Sequence, residues 1–180
     1  MPRLPAVDPT SMSPEHRAVY DEILRVRGQV RGPFAIWLTS PELCHHALTL
    51  QDWFPQHATL DRRLLELMIL VIARQATAQF AWFVHEPHAL RLGVSQAVID
   101  AIRERRTPDF EKDDERLVYD LTRELDTYRT LSPQSYERGV AMLGAQTMVE
   151  LVSAVGFYVM VAMTLNTFEA PVPGGKLPLA

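Results

Sequence analysis

The stretch Glu66-Leu67-Met68-Ile69-Leu70-Val71-Ile72-Ala73-Arg74-Gln75-Ala76-Thr77-Ala78-Gln79-Phe80-Ala81-Trp82-Phe83-Val84-His85 decides how this chain is read. From Leu64 to Ala73 every residue is apolar except Glu66. A helix with no polar face must be covered on all sides, so a helix over 62–77, with Asp61 as its N-cap, is expected at the centre of the fold. An ionised carboxylate in such a run is costly unless it is paired or hydrogen-bonded. Glu66 therefore calls for a partner. A second helix over 79–92, ended by Gly93, brings His85, with Trp82 one turn before it and His88 and Ala89 one turn after. A Glu facing a His forms an acid/base unit, because the carboxylate sets the tautomer and raises the basicity of the ring. The competing readings are structural: Glu66 as a carboxylate tying helices together, and His85 as a packing residue.

Composition narrows the classes of function. Of 180 residues, 47% are hydrophobic and 22% charged, the balance of a globular chain able to bury a core. The simplest organisation is one domain over 1–180. A net charge of −4 with no basic block argues against a nucleic-acid partner, which must neutralise phosphates. Cys44 is the only cysteine, so no disulfide forms within the chain and a reducing, cytoplasmic location is expected. The start, Met1-Pro2-Arg3-Leu4-Pro5, lacks the apolar run of a secretory signal. The longest uncharged apolar run, Leu151 to Leu165, has 15 residues, against roughly 20 needed to span a bilayer. No membrane partner is expected, and this run reads as a buried helix.

The rest of the chain also reads as helical. Ser13-Pro14, Ser40-Pro41 and Ser132-Pro133 pair an N-cap residue with a proline that loses no hydrogen bond in a first turn. They predict helices over 14–28, 41–54 and 133–143. Ser95 opens 96–105, Leu117, Val118, Leu121 and Leu125 mark 115–128, and a final helix covers 145–166. The charged segment Arg103 to Asp114 is a loop. Nothing shows the alternation of a half-buried strand, so the fold is expected to be an all-α bundle of about seven helices. The Pro-rich ends, 1–12 and 170–180, are expected to lie along the surface as extended arms. Two helices apolar nearly all round, 64–73 and 149–165, predict a homo-oligomer (dimer, trimer or hexamer), with Ser153, Ala154, Gly156 and Ala162 allowing close helix approach.

His85-Glu86-Pro87-His88 has two His three residues apart, but it supplies only two nitrogens and Pro87 interrupts it; a metal usually needs three or more protein ligands. His45, His46 and His57 are the remaining candidates, with nothing in the sequence to fix their distance. Arg74 lies eight residues after Glu66, roughly 12 Å along a helix, too far to pair with it. It is a candidate for holding an anionic substrate or a charge reaching the surface. Cys44, beside His45 and His46, reads as an inert helix cysteine.

The spacing Glu66-x11-Ala78-x2-Ala81-x3-His85 resembles the E-x11-C-x2-C-x3-H site of the alkylhydroperoxidase D branch of the carboxymuconolactone decarboxylase family, with alanine at both cysteine positions. Gln79-Phe80-Ala81-Trp82-x2-His85-x3-Ala89-x3-Gly93 resembles the other branch, in which an aromatic-Glu-Trp triplet precedes the His; that Glu too is absent, at Ala81. Looser similarity extends through Gly32-Pro33-Phe34, Ser40-Pro41-Glu42-Leu43, Gly156-Phe157-Tyr158 and Pro171-x-Pro173. The resemblance implies the alkylhydroperoxidase D-like bundle, a His85 that handles protons facing Glu66 across a small pocket, and no metal or other cofactor. It points to a small-molecule ligand, with Phe80, Trp82, Ala81, Ala78, His88 and Arg74 as candidate pocket residues. The leading expectation is a lyase or decarboxylase-like enzyme for a small organic acid or lactone. The alternatives are a non-catalytic binding or structural oligomer and, despite the missing thiols, a peroxidase.

Overall fold

The structure, a computed structural model, describes residues 2–5, 7–175 and 177–179. Among these residues there are eight α-helices and no strand: α1 Pro14–Arg27, α2 Pro33–Trp37, α3 Pro41–His57, α4 Arg62–Gln75, α5 Gln79–Arg91, α6 Gln96–Arg103, α7 Asp113–Tyr128 and α8 Pro133–Thr167. As the apolar run requires, α4 is the central helix. Every residue from Leu64 to Ala73 other than Glu66 is buried. It packs against α5, α7 and α8, and one continuous core joins all of them.

Of the five N-caps expected from the sequence, four form. The side chains of Ser13, Asp61, Ser95 and Ser132 accept from the backbone N–H groups of His16, Arg63, Val98 and Ser135. Ser40 precedes α3 but its side chain makes no capping bond, so Pro41 alone marks that start. The short α2 was not expected, because five residues are too few to show a helical period.

The expected helices over 133–143 and 145–166 are one helical element, α8, broken between them. Gly144 has φ 80° and ψ 162°, a conformation open in practice only to glycine. The break lays residues 133–143 on α7: Ser132 N and Ser135 Oγ each donate to Glu124 at 2.5 Å, and Arg138 approaches Asp120 at 3.9 Å. Taken whole, α8 is long and apolar enough to cross a membrane by length and composition, which the 15-residue run alone was not. Its inner face, including Leu151, Ala154, Tyr158 and Leu165, is buried against the bundle. The buried Ala154 and Ala162 are therefore closed to another helix, whereas Ser153 and Gly156 are exposed.

The terminal arms are pinned to the bundle. Arg3 N donates to Phe168 O at 3.1 Å, and its guanidinium meets Glu169 at 2.9 Å. Leu179 is buried, and its N–H donates to Gln79 Oε1 at 2.9 Å. Both arms contain a short 3-10 turn, Pro9–Ser11 and Pro173–Gly175; residues 1, 6, 176 and 180 of the arms lie outside the described residues.

Two buried carboxylates fasten the core. Arg63 of α4 bonds Asp114 at 2.6 Å and also bonds the buried Glu115, both on α7. Glu150 of α8 accepts from Thr59 N at 2.6 Å, Thr59 Oγ1 at 2.7 Å and Gln146 Nε2 at 2.9 Å, which fixes the turn leading into α4. Burial pushes the Glu150 pKa up, but donors from Gln146, Thr59 and Leu60 outweigh it and hold it below the usual 4.5. A depressed native pKa contributes stability that is complete above the ordinary value and lost as pH falls through the native one. Urea unfolding near neutrality and at about pH 3.5 should therefore show a larger acid loss for wild type than for Glu150→Gln. Equal losses in the two proteins would remove Glu150 from the account.

Candidate functional site

The turn at residues 76–78 reverses the chain between α4 and α5, with Thr77 in the left-handed region at φ 50°. Glu66 and His85 lie at similar distances on either side of this turn, so the helical hairpin brings them level. His85 Nδ1–H donates to Glu66 Oε2 at 2.7 Å, and both side chains are nearly buried, 13% and 12% exposed. A carboxylate only accepts, so the bond keeps the proton on Nδ1 and leaves Nε2 for proton exchange. His88 is more exposed, with its Nδ1 3.8 Å from Glu66 Oε1. Burial lowers its pKa below the ordinary imidazole value; the Glu66 charge opposes this, and His85, Arg91 and Arg62 add to it.

The pair borders a cavity of about 340 Å³. Of the anticipated residues, Glu66, His85, His88, Phe80 and Ala81 line it. The sequence reading missed Tyr158, Gln51, Arg27, Arg31 and Arg62, which line it as well. Leu65, Val84, Val161 and Leu165 supply apolar wall. The Tyr158 ring stands edge-on to His85, with centroids 5.7 Å apart at 90°. Its burial, and then the Glu66 charge, push the phenol well above its ordinary pKa, so it is a neutral hydroxyl. Gln51 has a buried Oε1 with no hydrogen-bond partner. Arg27 is paired with Asp52, whereas Arg31 and Arg62 have no ion-pair partner among the described residues. With Arg27 met by Asp52, the guanidinium groups of Arg31 and Arg62 stand against the one carboxylate of Glu66 around the cavity, a surplus of positive charge.

Three anticipated pocket residues lie elsewhere. Trp82 is fully buried on another face of α5, where Nε1 donates to Glu86 Oε2 at 2.8 Å and the Arg103 guanidinium sits 5.4 Å over its ring. Its period on the helix matches that of His85, but the Glu86–Arg103 pair draws the indole toward α6. Ala78 is buried at the start of α5 and does not reach the cavity, so only Ala81 of the two alanine positions faces it. Arg74 points the other way, donating to Leu179 O at 3.4 Å in a separate depression with Arg105 and Arg123.

His45 pairs with Glu22 at 2.8 Å, and neither it, His46 nor His57 lines the cavity. Among the described residues no three His, Cys, Asp or Glu side chains converge as metal ligands. Cys44 is fully buried on α3, its Sγ donating to Phe34 O at 3.7 Å. Burial, with the Glu22 charge, pushes its thiol up to about 12. Thiol-based peroxide reduction needs an accessible thiolate and a second thiol to resolve it. Turnover of an organic hydroperoxide with a dithiol reductant is accordingly expected to stay at background, and turnover that disappears in Cys44→Ser would show otherwise.

No protein-family model and no curated protein matches the sequence. A solved structure does match: an uncharacterized peroxidase-related protein from Silicibacter sp. TM1040, 12% identical, with a TM-score of 0.75 over 94% of this chain and 90% of that one. At that identity the likeness establishes the fold. The chain has the alkylhydroperoxidase D-like fold.

Proposed function

We propose that the protein is a cofactor-free, decarboxylase-like lyase for a small organic acid or lactone, from a branch of the carboxymuconolactone decarboxylase family that lacks both redox cysteines. The observation that carries this reading is the 2.7 Å Glu66–His85 bond at the edge of a cavity with surplus positive charge. Arginine binds carboxylates well and keeps its charge at any ordinary pH, so the lining suits an anionic substrate. In the reaction, the bond between the substrate's carboxyl carbon and its neighbour breaks. Its electron pair moves into an adjacent conjugated carbonyl, and carbon dioxide leaves. His85 Nε2 delivers a proton to the resulting carbanion and recovers one from solvent. Glu66 steadies the charged imidazole, and the neutral Tyr158 hydroxyl is a donor for the developing enolate oxygen. The pocket is not filled by Trp82 or Phe83, which favours this reading over a pocket without chemistry. The peroxidase relation of the Silicibacter protein is not carried over, since no thiol lines the cavity.

A thermal-shift screen of small carboxylic acids and lactones tests the reading, because a ligand of the folded state raises its Tm. At least one acid or lactone should raise it and lose carbon dioxide or open its ring in the protein's presence. A panel with no stabilising acid or lactone would overturn the proposal.

We also propose that the protein is a homo-oligomer joined through the outer face of α8. Val149, Val152, Gly156, Met160 and Met163 form an exposed stripe at helical spacing, with Val149 67% and Met163 64% exposed. Light scattering should give a multiple of 20.4 kDa, reduced by Val149→Glu with Met163→Glu. A monomer at every concentration above low micromolar would contradict it.

A further inference from the structure

A second cavity, of about 470 Å³, adjoins the first. Two residues, Phe80 and Arg31, line both. The second cavity is walled by α1, α2 and the two terminal arms, with Leu4, Val30, Ala35, Ile36, Phe168 and Val172 among its apolar lining. Among the described residues Arg31 is the one charged residue that lines it. The partition is built closely. A Cβ at Gly32 would fall 2.4 Å from the Phe80 ring, and Gly32 has φ 59°, so both the space and the backbone at that point exclude a side chain. The Arg31 guanidinium lies 6.0 Å from the same ring. One cavity thus has arginines, an orphan acceptor and an acid/base pair, and the next has almost only hydrocarbon; the side chains between them are one aromatic ring and one cation.

Resting on the function proposed above, we propose that the substrate is an amphipathic monocarboxylate. Its charged end lies among Arg31, Arg62 and His85, and its hydrocarbon chain passes the Phe80 ring into the second cavity. Among the described residues Arg31 and Arg62 make no ion pair, and the carboxylate supplies one. The second cavity offers the chain an apolar surface that water fills poorly. The terminal arms thereby become part of the binding site, since Leu4 and Val172, with Phe168 at the end of α8, cover the chain.

Isothermal titration calorimetry of the full chain with butyrate, octanoate and 1-octanol tests this. Each buried methylene group strengthens binding by about fourfold, so octanoate, with four more of them, should bind about 250-fold more tightly than butyrate. 1-Octanol should bind at least roughly tenfold more weakly than octanoate, because it lacks the charge. Ala35 lines only the second cavity, and Ala35→Phe should bring octanoate down to near butyrate while butyrate binding stays unchanged. Circular dichroism melts confirm folding; if Ala35→Phe does not fold, Ala170→Phe fills the same cavity from the C-terminal arm. Butyrate binding with no gain from chain length, an unchanged ratio in the filled variant, or octanol equal to octanoate would overturn the two-cavity inference alone. Binding of neither acid would overturn the organic-acid reading of the first cavity, and this inference with it.

Discussion

Replacing His85 by alanine is expected to lower turnover of the acid or lactone found by the screen by about 10²- to 10⁴-fold, with the fold intact. The imidazole is the cavity group whose free nitrogen is set for proton transfer, because Glu66 occupies the other at 2.7 Å. Removing it leaves a space beside Tyr158 that solvent can fill, and the helix it stands on is held by other contacts, chiefly Trp82 and Glu86. Glu66→Gln should cost less, since an amide still bonds the ring but no longer steadies its charged form. Tyr158→Phe should cost less again, removing one donor while keeping the edge-on packing. Steady-state kinetics with matched circular dichroism melts decide the matter. Turnover that survives His85→Ala at wild-type rate would remove the pair from the chemistry.

Arg63→Ala should destabilise the fold by about 3–5 kcal/mol, toward the lower end of that range. The guanidinium bonds Asp114 and Glu115, and Glu115 is 3% exposed. Truncation leaves that buried carboxylate with Lys112 at 3.3 Å as its remaining cation, which softens the loss. Replacing both partners, Arg63→Met with Glu115→Leu, should recover most of the stability, because the cost lies in an uncompensated charge rather than in the missing attraction. Urea denaturation of the two variants provides the comparison. A single variant within about 0.5 kcal/mol of wild type would mean that the pair contributes as little as an exposed one.

The sequence made the helical class legible because the apolar residues recur at helical spacing and each predicted cap is a local signal. One carboxylate in an apolar run marked Glu66 as needing a partner, but it was the resemblance in spacing to the E-x11-C-x2-C-x3-H site that joined it to His85. Which face each side chain takes was not legible. Trp82 and His85 are one turn apart, yet Arg103, far along the chain, draws the indole to another side. Distance along the helix put Arg74 too far to pair with Glu66 and left it as an anion holder or a charge reaching the surface; rotation about the axis turns it toward Leu179, away from the cavity. Tyr158 was visible as part of an apolar segment and of a loosely similar flank, neither of which ties it to His85. Gln51, Arg27, Arg31 and Arg62 come from other elements, and no local pattern ties any of them to His85.

The break at Gly144 bears on how the chain acquires its longest helix. A straight helix of its 35 residues would run roughly 50 Å. Helical order grows by adding one hydrogen bond per residue to an existing turn, and it cannot pass a residue held outside helical φ and ψ. The two segments must therefore nucleate separately. Residues 133–143 are fewer than the roughly 12–15 that an isolated helix needs to persist in water. That segment takes its order from tertiary contacts: from α7, through Glu124, Asp120 and Leu121, and from Met148 of the following helix, which packs against Gly139.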